Sequence, residues 1–154
     1  TGVRKGYDAS TRRFATTYAE ATVGCEACHG PGSAHAAAPA RVRTTPLDSP
    51  ATELNACAPC HSRRSAIAEG FTPAANFLDH YLPALLEAGL YHADGQIQDE
   101  VFEYGSFLQS RMHAAGVTCS DCHDPHSARL VLDGNAVCTQ CPAPAAQLSF
   151  TTLF

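Results

Sequence analysis

The stretch Cys25-Glu26-Ala27-Cys28-His29-Gly30-Pro31-Gly32-Ser33-Ala34-His35 carries the pattern from which the fold is read. Two thiols three positions apart on one turn of chain can add to the two vinyl groups on one edge of a haem. The imidazole that follows then reaches the iron, so Cys-x-x-Cys-His is the attachment signature of a c-type haem. It recurs as Cys57-Ala58-Pro59-Cys60-His61 and as Cys119-Ser120-Asp121-Cys122-His123. With 8 Cys and 8 His in this chain, chance would supply roughly 0.02 such motifs. Three are not an accident.

The remaining cysteines form one more pair of the same spacing, Cys138-Thr139-Gln140-Cys141, followed by Pro142 instead of histidine. A haem can attach there through both thioethers, but its iron would need a ligand from elsewhere or would stay five-coordinate. The alternatives are a sequence altered or truncated near its end and a pair without haem. A Cys₄ zinc site needs no histidine directly after its second cysteine. Disulfides need no histidine at all, and a redox-active Cys-x-x-Cys normally occurs once, in a βαβ setting.

Five further histidines, His35, His80, His92, His113 and His126, face at least three irons with a sixth position to fill. Gly30-Pro31-Gly32 forces a turn that gives His35 a fixed direction. His126 follows His123 by three residues, which span at most about 10 Å when extended. That is too short to round a macrocycle edge, so His126 should serve a neighbouring haem, and adjacent haems would be held close together. His92, in a loop, ranks third. His80 and His113 lie beside expected helices, where a packing role is as good a reading. Met112 is the only methionine. It is read as packing, with His/His irons of low potential.

The composition suits this reading. A chain of 154 residues is sized for one domain. Its apolar content leans on alanine and includes no Trp. The formal charge of −5 excludes a phosphate-tracking surface for nucleic acid and a polybasic membrane patch. No apolar run reaches the roughly 18 residues that a bilayer span requires. There is neither an initiating Met nor a signal-like start, which predicts a chain that begins after processing or inside a longer protein.

Local signals predict irregular or short extended chain over residues 1–24 and a long connection over 30–53. A short helix is expected from Ser62 to Glu69, with Arg63 and Arg64 facing haem propionates or solvent. A helical turn or two is expected over Pro83 to Ala88. The strongest helix is expected from Asp99 to His113, with Val101, Tyr104, Leu108 and Met112 as its apolar stripe and Gly116 beyond its end. Leu130-Val131-Leu132 predicts a brief extended stretch. The motifs recur at unequal intervals, so no solenoid is implied.

The first motif through His35, Tyr91-His92-Ala93-Asp94-Gly95-Gln96, and Cys119-Ser120-Asp121-Cys122-His123-Asp124-Pro125-His126-Ser127 resemble multihaem cytochromes of the nitrifier tetrahaem electron-carrier type. They look closest to longer relatives fused to tetratricopeptide repeats. The likeness runs from about Arg4 to Cys141. It implies proximal ligands at His29, His61 and His123, and distal ligands at His35, His92 and His126. It also implies an internal piece of a longer protein. The family usually has histidine where this chain has Pro142, and Ala143 to Phe154 departs from it too.

Together these readings predict a single domain over 1–154, mostly α with extensive irregular loops. It would be a multihaem cytochrome c fold organised around a packed haem array. The expected function is electron transfer, without catalysis, in the periplasm or outside the cell. Cys25, Cys28, Cys57, Cys60, Cys119 and Cys122 would bind three haems c, with Cys138 and Cys141 open for a fourth. Expected partners are redox proteins or neighbouring haem domains, with no nucleic acid, no direct membrane insertion, and room for oligomers or filaments. The alternatives are a haem enzyme acting on a small nitrogen or sulfur compound at one open iron, and a structural role in assembly.

Overall fold

A computed structural model describes residues 2–141. Pro142 and the segment 143–154 lie outside the described residues. The chain divides into two compact units, one made of Thr1–Cys60 with Arg64–Pro83 and the other of His61–Arg63 with Ala84–Phe154.

The first unit opens with a hairpin, β1 (Tyr7–Asp8) against β2 (Arg13–Phe14). Its turn is built by Asp8. One carboxylate oxygen accepts from Ser10 N at 2.8 Å and from Ser10 Oγ at 2.7 Å, and the other accepts from Thr11 Oγ1 at 2.8 Å. Such Asx bonds replace the backbone partners that a turn lacks. Tyr7 and Phe14 pair across the strands with ring centroids 4.9 Å apart. Gly6, at φ 57°, is required, because a Cβ there would lie 2.7 Å from Ala15 O.

Helix α1 (Cys25–His29) and helix α2 (Ser33–Ala37) are single turns joined by Gly30-Pro31-Gly32. Helix α3 (Pro50–His61) is longer, and its start follows from the sequence. Pro50 needs no N–H in the first turn. Ser49 and Thr52 cap reciprocally, Thr52 N donating to Ser49 Oγ at 3.2 Å and Ser49 N donating to Thr52 Oγ1 at 3.1 Å.

After α3 the expected helix from Ser62 to Glu69 is replaced by β3 (Arg64–Ala66), paired antiparallel with β4 (Tyr81–Pro83). Cross-strand pairing outweighs local preference here. The Arg64 guanidinium lies 4.3 Å from the Tyr81 ring centroid. Tyr81 stacks on Phe77 at 5.2 Å. Phe77 is fully buried, Ala56 and Ala58 are buried too, and the Phe77 N–H is held by Asn55 Oδ1 at 3.0 Å.

In the second unit the helix expected over Pro83 to Ala88 is also absent. The strand runs to Pro83, Ala84 N then donates to Arg63 O at 2.8 Å, and Ala88 bridges Tyr91. The helix expected from Asp99 to His113 is present in part, as α4 (Glu103–Gln109) and α5 (Arg111–Ala114). It starts late because Asp99, Glu100 and Val101 are engaged by Arg63 instead. It breaks at Ser110, whose ψ of 153° is extended. The Ser110 hydroxyl donates to Phe107 O at 2.7 Å and accepts from His113 N at 3.2 Å, closing one helix and capping the next. Gly116, at φ 84°, follows the end of α5 as expected.

Beyond it, β5 (His123–Asp124) pairs with β6 (Arg129–Leu130), and α6 (Ala136–Thr139) follows. The extended stretch expected at Leu130-Val131-Leu132 is thus present at its first residue, with Val131 N bonded to Cys122 O at 3.0 Å. The described buried apolar side chains are Ala56, Ala58 and Phe77 in the first unit and Tyr91 and Val101 in the second. Among the described residues no helix is long and apolar enough to cross a membrane.

Candidate haem sites

The first motif occupies α1 entirely, so one helical turn sets Cys25, Cys28 and His29 relative to one another. Its variable residue Glu26 is not idle, because its Oε1 accepts from Gly32 N at 2.7 Å and holds the Gly-Pro-Gly turn that leads to His35. A single stretch, Val42 to Thr45, then meets both imidazoles. Thr45 N donates to His29 O at 3.0 Å, and Thr45 O faces His29 Nδ1 at 3.5 Å. Val42 O accepts from His35 Nδ1 at 2.6 Å. A proton held on Nδ1 leaves the ring lone pair on Nε2, the atom a metal would take.

The second motif ends α3, with Pro59 inside its last turn. His61 Nδ1 lies 3.4 Å from Glu103 Oε2, at the start of α4. Arg63, two residues on, fixes that approach. Its N–H donates to Val101 O at 3.1 Å, and its Nη1 donates to Asp99 Oδ2 at 3.1 Å and to Glu100 O at 3.3 Å. The Asp99 carboxyl is held below its ordinary value by the Glu100 N–H and by Arg63. Arg63 is therefore committed to this clamp, and Arg64 to Tyr81.

The third motif begins in a short 3₁₀ turn, Cys119–Asp121, closed by a capping box in which Thr118 N donates to Asp121 Oδ2 at 2.7 Å. His123 starts β5 opposite Leu130. His126 lies on the tight turn between β5 and β6. That turn is shaped by Asp124, which accepts from Ser127 Oγ at 2.6 Å and from His126 N at 3.1 Å, and whose carboxyl is lowered by those bonds. His126 is thereby carried beyond the strand that bears His123. The fourth pair lies at α6, Cys138 within it and Cys141 just after it, and Gln140 Nε2 donates to Asp121 O at 3.1 Å.

Cysteines of different pairs influence one another electrostatically in a way that sequence spacing does not reveal. Burial raises the Cys28 thiol above its ordinary value, and the nearby Cys60 and Cys25 add to the effect. Burial likewise raises Cys122, with Asp121, Cys141, Cys138 and Cys119 adding to it. Cys28 is thus within electrostatic reach of Cys60, and Cys122 within reach of Cys138 and Cys141. None of the eight cysteines is in a disulfide. Among the described residues no three His, Cys, Asp or Glu side chains converge as a cage for a metal ion.

His92 is exposed in a loop closed by His92 N to Gln96 O and Gly95 N to His92 O, both 2.9 Å, directly after buried Tyr91. His80 packs edge-on against Phe71 at 5.6 Å, and its Nδ1 is buried without a hydrogen-bond partner. His113 packs against Phe107 at 5.6 Å. Sequence reasoning missed Glu103, Val42 and Thr45. Two of these act through main-chain oxygens, which every residue has. Glu103 lies 42 residues from His61, with no local signal to connect them.

No family model, no curated protein and no solved structure matches this chain.

Proposed function

We propose that this chain is an electron-transfer protein that holds three c-type haems through Cys25/Cys28, Cys57/Cys60 and Cys119/Cys122, with His29, His61 and His123 as proximal ligands. Cys138/Cys141 would hold a fourth, and His35, His92 and His126 are the distal ligands proposed. The observation that carries the reading is the threefold Cys-x-x-Cys-His motif, which has no comparable explanation in zinc or disulfide chemistry. When bound, the haems supply one-electron chemistry whose potential depends on axial ligands, hydrogen bonding and burial.

The donor set supports the fit. The Nδ1 atoms of His29, His35 and His61 face carbonyl or carboxylate oxygens, the arrangement that orients an imidazole for ligation through Nε2. The paired motifs support close haem neighbours, which electron hopping needs. Among the described residues the buried apolar set is small, and porphyrin faces would add the apolar area that so few side chains provide. Thioether formation by this route takes place after export, so the proposed setting is the periplasm or cell surface. The proposed partners are redox proteins or adjoining haem domains.

A second reading, a haem enzyme with one open iron, is favoured by one observation. Cys141 is followed by Pro142, so the fourth pair lacks an adjacent ligand. The intact mass of the purified holoprotein under denaturing conditions, with its reduced visible spectrum, tests the main proposal. Three or four added haem masses and a sharp c-type band are expected; no added haem mass overturns it. Purely low-spin iron would remove the second reading.

A further inference from the structure

The three proximal histidines are not held alike. His29 faces a neutral carbonyl oxygen, that of Thr45, at 3.5 Å. His61 faces a carboxylate, Glu103 Oε2, at 3.4 Å. His123 starts a strand, and Asp124 Oδ1 lies 3.7 Å from His126 Nδ1. From the geometry we infer that Glu103 is a positioning residue for His61 and lowers the potential of the second site. This rests on the proposed haem reading.

The argument begins with how Glu103 reaches His61. Arg63 binds Val101 O through its backbone and Asp99 and Glu100 through its guanidinium, so the chain before α4 is fastened beside the chain after α3. Val101 is 2% exposed and anchors that segment. Phe102, at φ 61°, then turns the chain into α4. Left-handed backbone is costly for a bulky residue, and here it makes Glu103 the first residue of the helix. A carboxylate at that end is favoured by the helix dipole.

The pair contributes little to stability. Both side chains are mostly exposed, at 65% and 76%, and exposed ion pairs are worth little. A carboxylate on Nδ1–H does something else. It pulls the proton toward oxygen, makes Nε2 a stronger donor, and so favours the more positive, oxidised metal. A carbonyl does the same more weakly, because a charged acceptor makes the stronger bond. The second site should therefore give up its electron more readily with Glu103 in place than without it.

The test is Glu103→Gln in the full holoprotein, which keeps shape and removes charge, with Glu100→Gln as the control. Glu100 also carries a charge in the same segment, but its contact to Arg63 is made by its main-chain oxygen. Potentials are read by spectroelectrochemical titration, with electron paramagnetic resonance of the oxidised protein. In Glu103→Gln one couple should rise by a tenfold change in its equilibrium ratio, about 59 mV for one electron. Its resonance should shift while the other couples hold, and Glu100→Gln should leave all of them in place. Unchanged couples in Glu103→Gln, or an equal shift of every couple in both variants, overturns the inference while leaving the haem reading intact. Wild-type protein without covalent haem overturns both.

Discussion

His35 donates from Nδ1 to the main-chain oxygen of Val42 at 2.6 Å, a short hydrogen bond for an imidazole N–H. A ring tethered this firmly on one nitrogen presents the other in a fixed direction. On the proposed reading His35→Ala leaves one iron without its sixth ligand, and a high-spin signal should appear in the oxidised spectrum. His35→Met should keep that iron low-spin and raise its potential, since Met/His irons are more oxidising than His/His irons. Visible and electron paramagnetic resonance spectra check both. An unchanged spectrum in His35→Ala would remove His35 from the ligand set.

Gly105 lies inside α4 because Tyr91 leaves no room for a side chain. A Cβ there would collide with the Tyr91 hydroxyl. Tyr91 is buried, and burial raises its phenol above the ordinary value. Gly105→Ala, normally favourable in a helix, should therefore destabilise by about 1–3 kcal/mol through overpacking. Adding Tyr91→Phe should recover part of that loss. Denaturant melts of the two single variants and the double variant give the coupling.

Asp8 holds the β1–β2 turn through Ser10 and Thr11, and those hydrogen bonds lower its carboxyl from 3.8 to about 2. Because the folded value lies below the unfolded one, the ionised form favours the turn. Its contribution is complete above about pH 4 and is lost as pH falls through about 2. Carboxyl-carbon NMR of Asp8 should give a midpoint near 2, and Asp8→Asn should abolish the step. A midpoint near the ordinary carboxylate value would show that the turn is not held this way.

The sequence was most informative where covalent chemistry dictates spacing. Each Cys-x-x-Cys pair is a local unit, and its meaning does not depend on what packs around it. The stop at Gly116 was also readable, because a cap involves neighbours in the chain, whereas the start of α3 at Pro50 falls inside the stretch expected to be a connection over 30–53. Arg64 to Ala66 went the other way. Its residues suit a helix in isolation, but Tyr81 to Pro83 offer a strand partner and an aromatic face for Arg64, and no local pattern announces a partner that far away. Ser110 could have warned of the break in the helix, since serine caps more readily than it continues a helix. The approach of Cys28 to Cys60, and of Cys122 to Cys138 and Cys141, depends on tertiary folding alone.

Ser110 offers a direct check on that break. It is 2% exposed, and its hydroxyl serves both helices, donating to Phe107 O and accepting from His113 N. Ser110→Ala should cost about 1 kcal/mol, the usual loss of an N-cap. Ser110→Asp retains the acceptor but buries a charge and should cost more. Thermal melts of the two variants test the order. Equal stability of Ser110→Ala and wild type would mean that α5 is held by something other than its cap.

The fourth cysteine pair gives the most divided outcome. Gln140, between its two cysteines, donates to Asp121 O, between the two cysteines of the third motif, so each pair holds the other in place. If Cys138 and Cys141 carry haem, replacing both by serine should reduce the intact mass by one haem and leave the other three attached. Gln140→Ala should leave the haem count unchanged, because thioether formation depends on the thiols and not on that bond. It should, however, disturb the spectrum of the third site, since Asp121 immediately precedes Cys122 and also closes the capping box at Thr118. A mass unchanged by the double serine replacement would show that the pair carries no haem, and the open-iron reading at this position would fall with it.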